Sequence, residues 1–170
     1  NGIQLKLGAF DTIVGYELSN NGENPNYTRS YGYGLEPTQH TGLLASYQIC
    51  ETVGIDLGIA NTYDALGGLN GRVGGDAASV KTYMAGLSLT APEAMGPLEG
   101  ATVYAAIVDG HAGNAATGPD SSLMYLGVSV PTHVENLSVG FAWDHLNIDG
   151  AVDSDAFALY VSYGVSDKLT

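Results

Sequence analysis

The residues that could carry acid–base, metal or phosphate chemistry lie apart from one another along this chain. Four histidines are present and form neither an HExxH motif nor a close pair: His40, His111, His133 and His145. Asp149, Asp153 and Asp155 could hold a divalent cation, but their spacing does not fit an EF-hand loop. The glycine-rich run at 67–75 lacks the Lys-Ser/Thr step and the following helix of a phosphate-binding loop. We expect no catalytic residue, no metal site and no cofactor, and therefore no enzyme.

Several polar residues stand singly among apolar neighbours at alternate positions: Lys6, Gln48, Asp56, Thr102 and Asp144. Side chains of this kind suit a water-filled passage, where width and charge filter solutes without any bond being made. A charge that faces lipid instead destabilises a membrane protein, most strongly near the bilayer midplane. We therefore predict that these five residues line a lumen, provided that regular elements hold them on one side.

The elements that must position these side chains show a period of two residues. From Leu137 to Trp143 every second residue is large and apolar, and the residues between them are small. The same alternation returns from Phe157 to Val165, and about eight segments show it in all. This period places alternate side chains on opposite faces of a strand, and about ten residues of tilted strand cross a bilayer. The pattern predicts an all-β fold, an antiparallel up-and-down transmembrane β-barrel with about eight strands.

A soluble alternative remains open, namely a ligand-binding or structural β-barrel or sandwich without a pore. The face of such a sheet that meets water should carry many Lys, Glu and Arg, whereas these strands carry Gly, Ala, Ser and Thr. The chain has 18 acidic and 5 basic residues, a formal net charge of −13, which argues against a nucleic-acid partner. Most of the acids fall between strands, where they are solvated or draw cations to a channel mouth.

The connections between the predicted strands alternate in length. The long ones cover residues 11–39, 64–78, 109–121 and 147–154, and the short ones 51–52, 92–100 and 131–136. Long connections of outer-membrane barrels are extracellular and short ones periplasmic. We predict two aromatic girdles on the apolar face, with Tyr83, Trp143 and Phe157 at the outer rim and Tyr47 and Tyr163 at the inner rim.

The segment 11–39 is long for a connection, and long loops of this kind are often functional. We expect it to be extracellular or to fold into the lumen and narrow it. Glu17 and Arg29 would act there as opposing charges of a constriction, or as an ion pair that holds the loop. In the second case Tyr27, Tyr31 and Tyr33 would pack together as a small core of the loop.

The first third of the chain carries the motifs of a known family. These are GAFDT at 8–12, GYE at 15–17, NPNYTRSY at 24–31 and PTQHTG at 37–42. In order and spacing this segment resembles the second β-barrel porin family of Gram-negative bacteria. The resemblance implies a bacterial outer membrane, a porin-like channel and a full-length protein considerably longer than this chain. It implies no catalytic or substrate-binding residues.

Together these observations predict a single β-barrel domain over residues 1–170, incomplete at both ends and forming an arc of a larger barrel. We expect a channel for passive diffusion of small polar solutes that favours cations. Its expected partners are outer-membrane lipid and lipopolysaccharide, and small polar solutes or ions. A homo-oligomer remains open.

Overall fold

The computed structural model describes residues 2–63, 81–111, 119–132, 134 and 136–165. They form one antiparallel sheet in which eight strands follow one another in chain order. The strands are β1 (Ile3–Asp11), β2 (Gln39–Cys50), β3 (Val53–Ala60), β4 (Thr82–Thr90), β5 (Thr102–His111), β6 (Asp120–Pro131), β7 (Leu137–Ile148) and β8 (Val152–Tyr163). Within this part of the chain β1 and β8 do not pair, so the sheet is an open arc. The predicted up-and-down antiparallel fold is confirmed.

The apolar residues of the alternating pattern share one face of the sheet, which we call the outer face. Leu7, Leu159 and Phe157 are 87, 71 and 69% exposed there, and no other part of the described chain covers them. Exposed apolar surface of this extent marks a contact with protein or membrane. No helix in the described residues is long and apolar enough to span a bilayer.

The opposite, inner face carries the small and polar set. Residues paired directly across antiparallel strands lie on the same face. One cross-strand row joins Asp56, Gly86, Ala106, Tyr125 and Asp144 through four successive pairings. The period of two in the sequence therefore placed the two aspartates on the same side of the sheet, four strands apart.

The short connections all lie at one end of the strands. Glu51–Thr52 joins β2 to β3, a turn with a 3₁₀ helix at Glu93–Leu98 joins β4 to β5, and the third joins β6 to β7. The opposite end carries the connection 12–38 and the other three connections. The predicted loop at 64–78 lies outside the described residues.

The predicted boundaries of two long connections are wrong, because the flanking strands are longer than expected. β5 continues to His111 and β6 begins at Asp120, so only residues 112–119 separate them. β7 reaches Ile148 and β8 begins at Val152, which leaves a three-residue turn in place of the predicted loop 147–154. Polar residues suggested a loop here. Strands can, however, continue their backbone hydrogen bonds beyond the apolar part of the sheet, where their side chains are exposed to water. Gly150, with φ of 72°, makes the turn.

Candidate functional site

The connection between β1 and β2 folds over the inner face of the sheet. Its base is closed by a hydrogen bond from Thr12 N to Thr38 O, at 3.1 Å. Val14 is buried against the wall, and the Tyr16 ring stacks on Tyr160 of β8 with centroids 4.1 Å apart. A 3₁₀ helix at Gly32–Gly34 contacts both β7 and β8. The docked loop, residues 12–38, thus reaches from the first two strands to the last two.

Two glycines allow this close approach. Gly140 lies on the inner face of β7, where a Cβ atom would overlap the ring of Tyr16. Gly32 lies in the loop, where a Cβ atom would overlap the carboxylate of Asp144. Backbone can approach this closely only where no side chain intervenes. The fit of the docked loop therefore depends on a missing side chain on each of the two surfaces.

Hydrogen bonds within the loop hold its acidic and basic residues apart. The buried Glu17 accepts at Oε2 from Ser30 N at 2.8 Å and from Ser30 Oγ at 2.9 Å. Arg29 donates to Ser19 O and to Asn21 Oδ1, and its guanidinium lies 4.5 Å from the Tyr33 ring centroid. Glu17 and Arg29 therefore do not form the ion pair that was one of the two alternatives.

The predicted tyrosine core of the loop is wrong. Tyr27 and Tyr31 are 104 and 92% exposed, and of the three only Tyr33 is half-buried. The aromatic residue that packs is Tyr16, which is directed at the wall instead of at other loop residues. A local sequence pattern could not reveal this, because its partner Tyr160 lies far along the chain.

The contact at the centre of the docked loop joins two acids. Asp144 is only 1% exposed, and it shares a side-chain hydrogen bond with the loop residue Glu36. Burial, followed by the nearby charge of Asp144, raises the pKa of Glu36 to about 9. A hydrogen bond between two carboxyl groups needs a proton on one of them, since an ionised carboxylate only accepts. The pair therefore holds a proton, and the raised pKa of Glu36 favours its carboxyl group as the site of that proton. No group of three or more His, Cys, Asp or Glu side chains in the described residues is arranged to hold a metal ion.

The other predicted pore-lining residues lie on the inner face beyond the docked loop. Asp56 accepts from Ser46 Oγ at 2.5 Å and from the Tyr104 hydroxyl at 3.1 Å. With Gln48 it lines an open cleft of about 280 Å³. Lys6 and Thr102 are exposed on the same face of β1 and β5. The structure thus places Asp144 under the loop and the other four residues on open wall.

The five predicted girdle aromatics all lie on the outer face. Trp143 and Phe157 are directly paired across β7 and β8. The Trp143 indole donates to Asp155 Oδ1 at 2.9 Å, so its polar edge points to the end of the strands that bears the long connections. Tyr83 lies at that end of β4, and Tyr163 lies at the opposite end of β8. Tyr47 is three residues from the end of β2 at the short connections.

Sequence analysis missed most residues of the docking contact. Tyr16, Ser30, Gly32 and Glu36 belong to a segment without strand periodicity, which hides their partners. One signal was available on the sheet side. In the alternation of β8, Tyr160 falls on the inner face, where most neighbouring residues are small. A large ring on such a face predicts a further segment that packs against it.

Loss of the aromatic stack should loosen the docked loop. Tyr16→Ala removes a stacked pair that contributes about 0.5–1.5 kcal/mol beyond its buried area, so docking should weaken about 2–10-fold or more. Arg29 is the only lysine or arginine in the loop. The rate of trypsin cleavage after Arg29, followed by fragment mass, should rise by the same factor. Tyr27→Ala, a change at an exposed tyrosine of the same loop, is the control. Equal rates for the two variants would contradict the docked arrangement.

Comparison with known proteins gives one finding. A family model described as putative beta-barrel porin-2, OmpL-like, matches residues 1–170, the whole chain. No curated protein and no solved structure matches the chain.

Proposed function

Because this chain belongs to the OmpL-like β-barrel porin-2 family, we propose that it forms part of the wall of an outer-membrane channel for passive diffusion of small polar solutes. The observation that carries the proposal is the contrast between the two faces of one sheet. The outer face is bare and apolar, whereas the inner face is polar and bears the docked loop. A sheet with these faces suits the boundary between lipid and a water-filled lumen.

The docked loop supplies the filter in this proposal. It occupies space above β7 and β8, so a solute passes between the loop and the remaining wall. Lys6, Asp56 and Thr102 line the part of the wall that the loop leaves open. Width and the field of these side chains then decide which solutes pass.

The charge of the channel mouth supports a preference for cations. Exposed acids gather at the end of the strands that bears the long connections: Asp11, Asp109, Asp120, Asp149 and Asp153. Among the described residues, Lys81 is the one lysine at this end. An acidic rim of this kind raises the local concentration of cations and lowers that of anions.

Conductance of the full-length protein in planar bilayers tests the proposal. We expect discrete current steps, and a reversal potential in a KCl gradient that favours K⁺ over Cl⁻. Heat-modifiable gel migration shows whether the protein is a folded barrel. If folded protein gave no current steps, the channel proposal would be wrong, and an anchoring or closed ligand-binding barrel would take its place. Steps with a reversal potential near zero would retain the channel and remove the cation preference.

A further inference from the structure

The contact between Glu36 and Asp144 joins the docked loop to β7 through two acids. Asp144 is held inside the wall at 1% exposure, and its Oδ1 atom has no hydrogen-bond partner. The backbone of Gly32 covers this carboxylate, and Gly15 packs against the Glu36 carboxyl group. Asp144 is therefore shielded from water, whereas Glu36 is half-buried and also borders a small cavity. The hydrogen bond between them exists only while one of them is protonated.

Among the residues that the structure describes, no positive charge faces the pair to replace that proton. The titratable groups that face Glu36 from the packed elements are acids and phenols: Asp144 on β7, Tyr125 on β6, Tyr160 on β8, and Glu17 in the loop. Asp11, Glu23 and Tyr33 line the small cavity on the other side of Glu36. Arg29 donates its hydrogen bonds to Ser19 and Asn21 instead. Loss of the proton would leave two negative charges side by side in a largely buried site, which is unfavourable.

We propose that this shared proton latches the loop: the loop stays docked while Glu36 is protonated, and it leaves the inner face when rising pH removes the proton. In the channel function proposed above, on which this consequence rests, the passage widens as the medium becomes alkaline. The docking step itself does not depend on transport. The two ideas can therefore fail separately.

The direction of the pH dependence follows from the two states of Glu36. Its pKa is about 9 in the docked loop, against an ordinary value of 4.5 when the carboxyl group is in water. Docking is therefore most stable below pH 4.5, where both states are protonated. Above that value the equilibrium constant for undocking increases by up to about tenfold for each pH unit. The contribution of the latch is lost above pH 9.

Glu36→Gln tests the latch, because a glutamine amide donates to Asp144 at every pH and does not titrate. At each pH we divide the rate of trypsin cleavage after Arg29 in the wild type by the rate in Glu36→Gln, which removes the pH dependence of trypsin itself. We expect this ratio of rates to increase by about tenfold or more between pH 7 and 9. Glu23→Gln, the same chemical change at an exposed acid of the same loop, should behave as the wild type.

Conductance provides the second measurement. The wild type and Glu23→Gln should conduct more at pH 9 than at pH 5, and Glu36→Gln should show a flat profile. Equal pH profiles of cleavage in the wild type and Glu36→Gln would overturn the latch even if the channel conducts. Absence of current in every variant, with the cleavage pattern as expected, would overturn the channel and leave the latch in place.

Asp144→Asn keeps the proposal testable if Glu36→Gln does not fold. The asparagine oxygen still accepts from Glu36, while the like charge beside Glu36 is removed. Its cleavage profile should rise less steeply with pH than that of the wild type. A profile as steep as the wild type in this variant would overturn the latch. Heat-modifiable gel migration identifies which variants are folded.

Discussion

Replacing Val128 by arginine is expected to destabilise the folded barrel by about 2–4 kcal/mol, the cost of a charge near the bilayer midplane. Val128 lies on the outer face of β6, between the levels of the two predicted aromatic girdles. The residues paired directly with it, Val103 of β5 and Phe141 of β7, are both apolar. The free energy of unfolding, measured by urea titration of the full-length protein in lipid vesicles, checks this value.

Ser88→Arg is the matched control for Val128→Arg. Ser88 lies at nearly the same depth but on the inner face, where it lines the open cleft beside Asp56. Its arginine meets water and an acid, so the free energy of unfolding should change by less than about 1 kcal/mol. Equal destabilisation by the two variants would mean that both faces have the same surroundings. The assignment of lipid and lumen would then be wrong.

Gly140→Leu should undock the loop without affecting the strands. The new side chain would occupy the position of the Tyr16 ring, which is held by its stack on Tyr160. Overpacking of this kind costs about 1–3 kcal/mol, which weakens docking by roughly 5–150-fold. We expect larger single-channel conductance than in the wild type, together with faster trypsin cleavage after Arg29.

Gly54→Leu separates loss of docking from a general effect of leucine on the wall. Gly54 lies on the inner face of β3, and a side chain there meets the mobile ends of Ser88 and Gln48. Conductance and cleavage should therefore remain close to the wild type or, if the leucine narrows the open wall, conductance should fall. If Gly140→Leu left conductance and cleavage unchanged, the docked loop would not be the constriction.

The strands and their two faces could be predicted from sequence because both are local properties. A period of two follows directly from extended backbone geometry, so Leu126 and Trp143 could be assigned to one face and Asp56 and Asp144 to the other. Where the pattern stopped, the prediction became less accurate. Polar residues at 147–154 suggested a loop, although β7 and β8 continue through them to a turn at Gly150.

Patterns along the chain were sufficient to predict an antiparallel sheet with an apolar and a polar face, and the motifs of its first third pointed to the family. The docking of residues 12–38 on β7 and β8, and the contact of Glu36 with Asp144, became visible only in the folded molecule. The difference lies in the range of the interactions. Alternation is imposed by neighbouring residues, whereas docking joins Glu36 to Asp144 across most of the chain and depends on the absence of side chains at Gly32 and Gly140. A contact between segments so far apart along the chain cannot be predicted from a local sequence pattern.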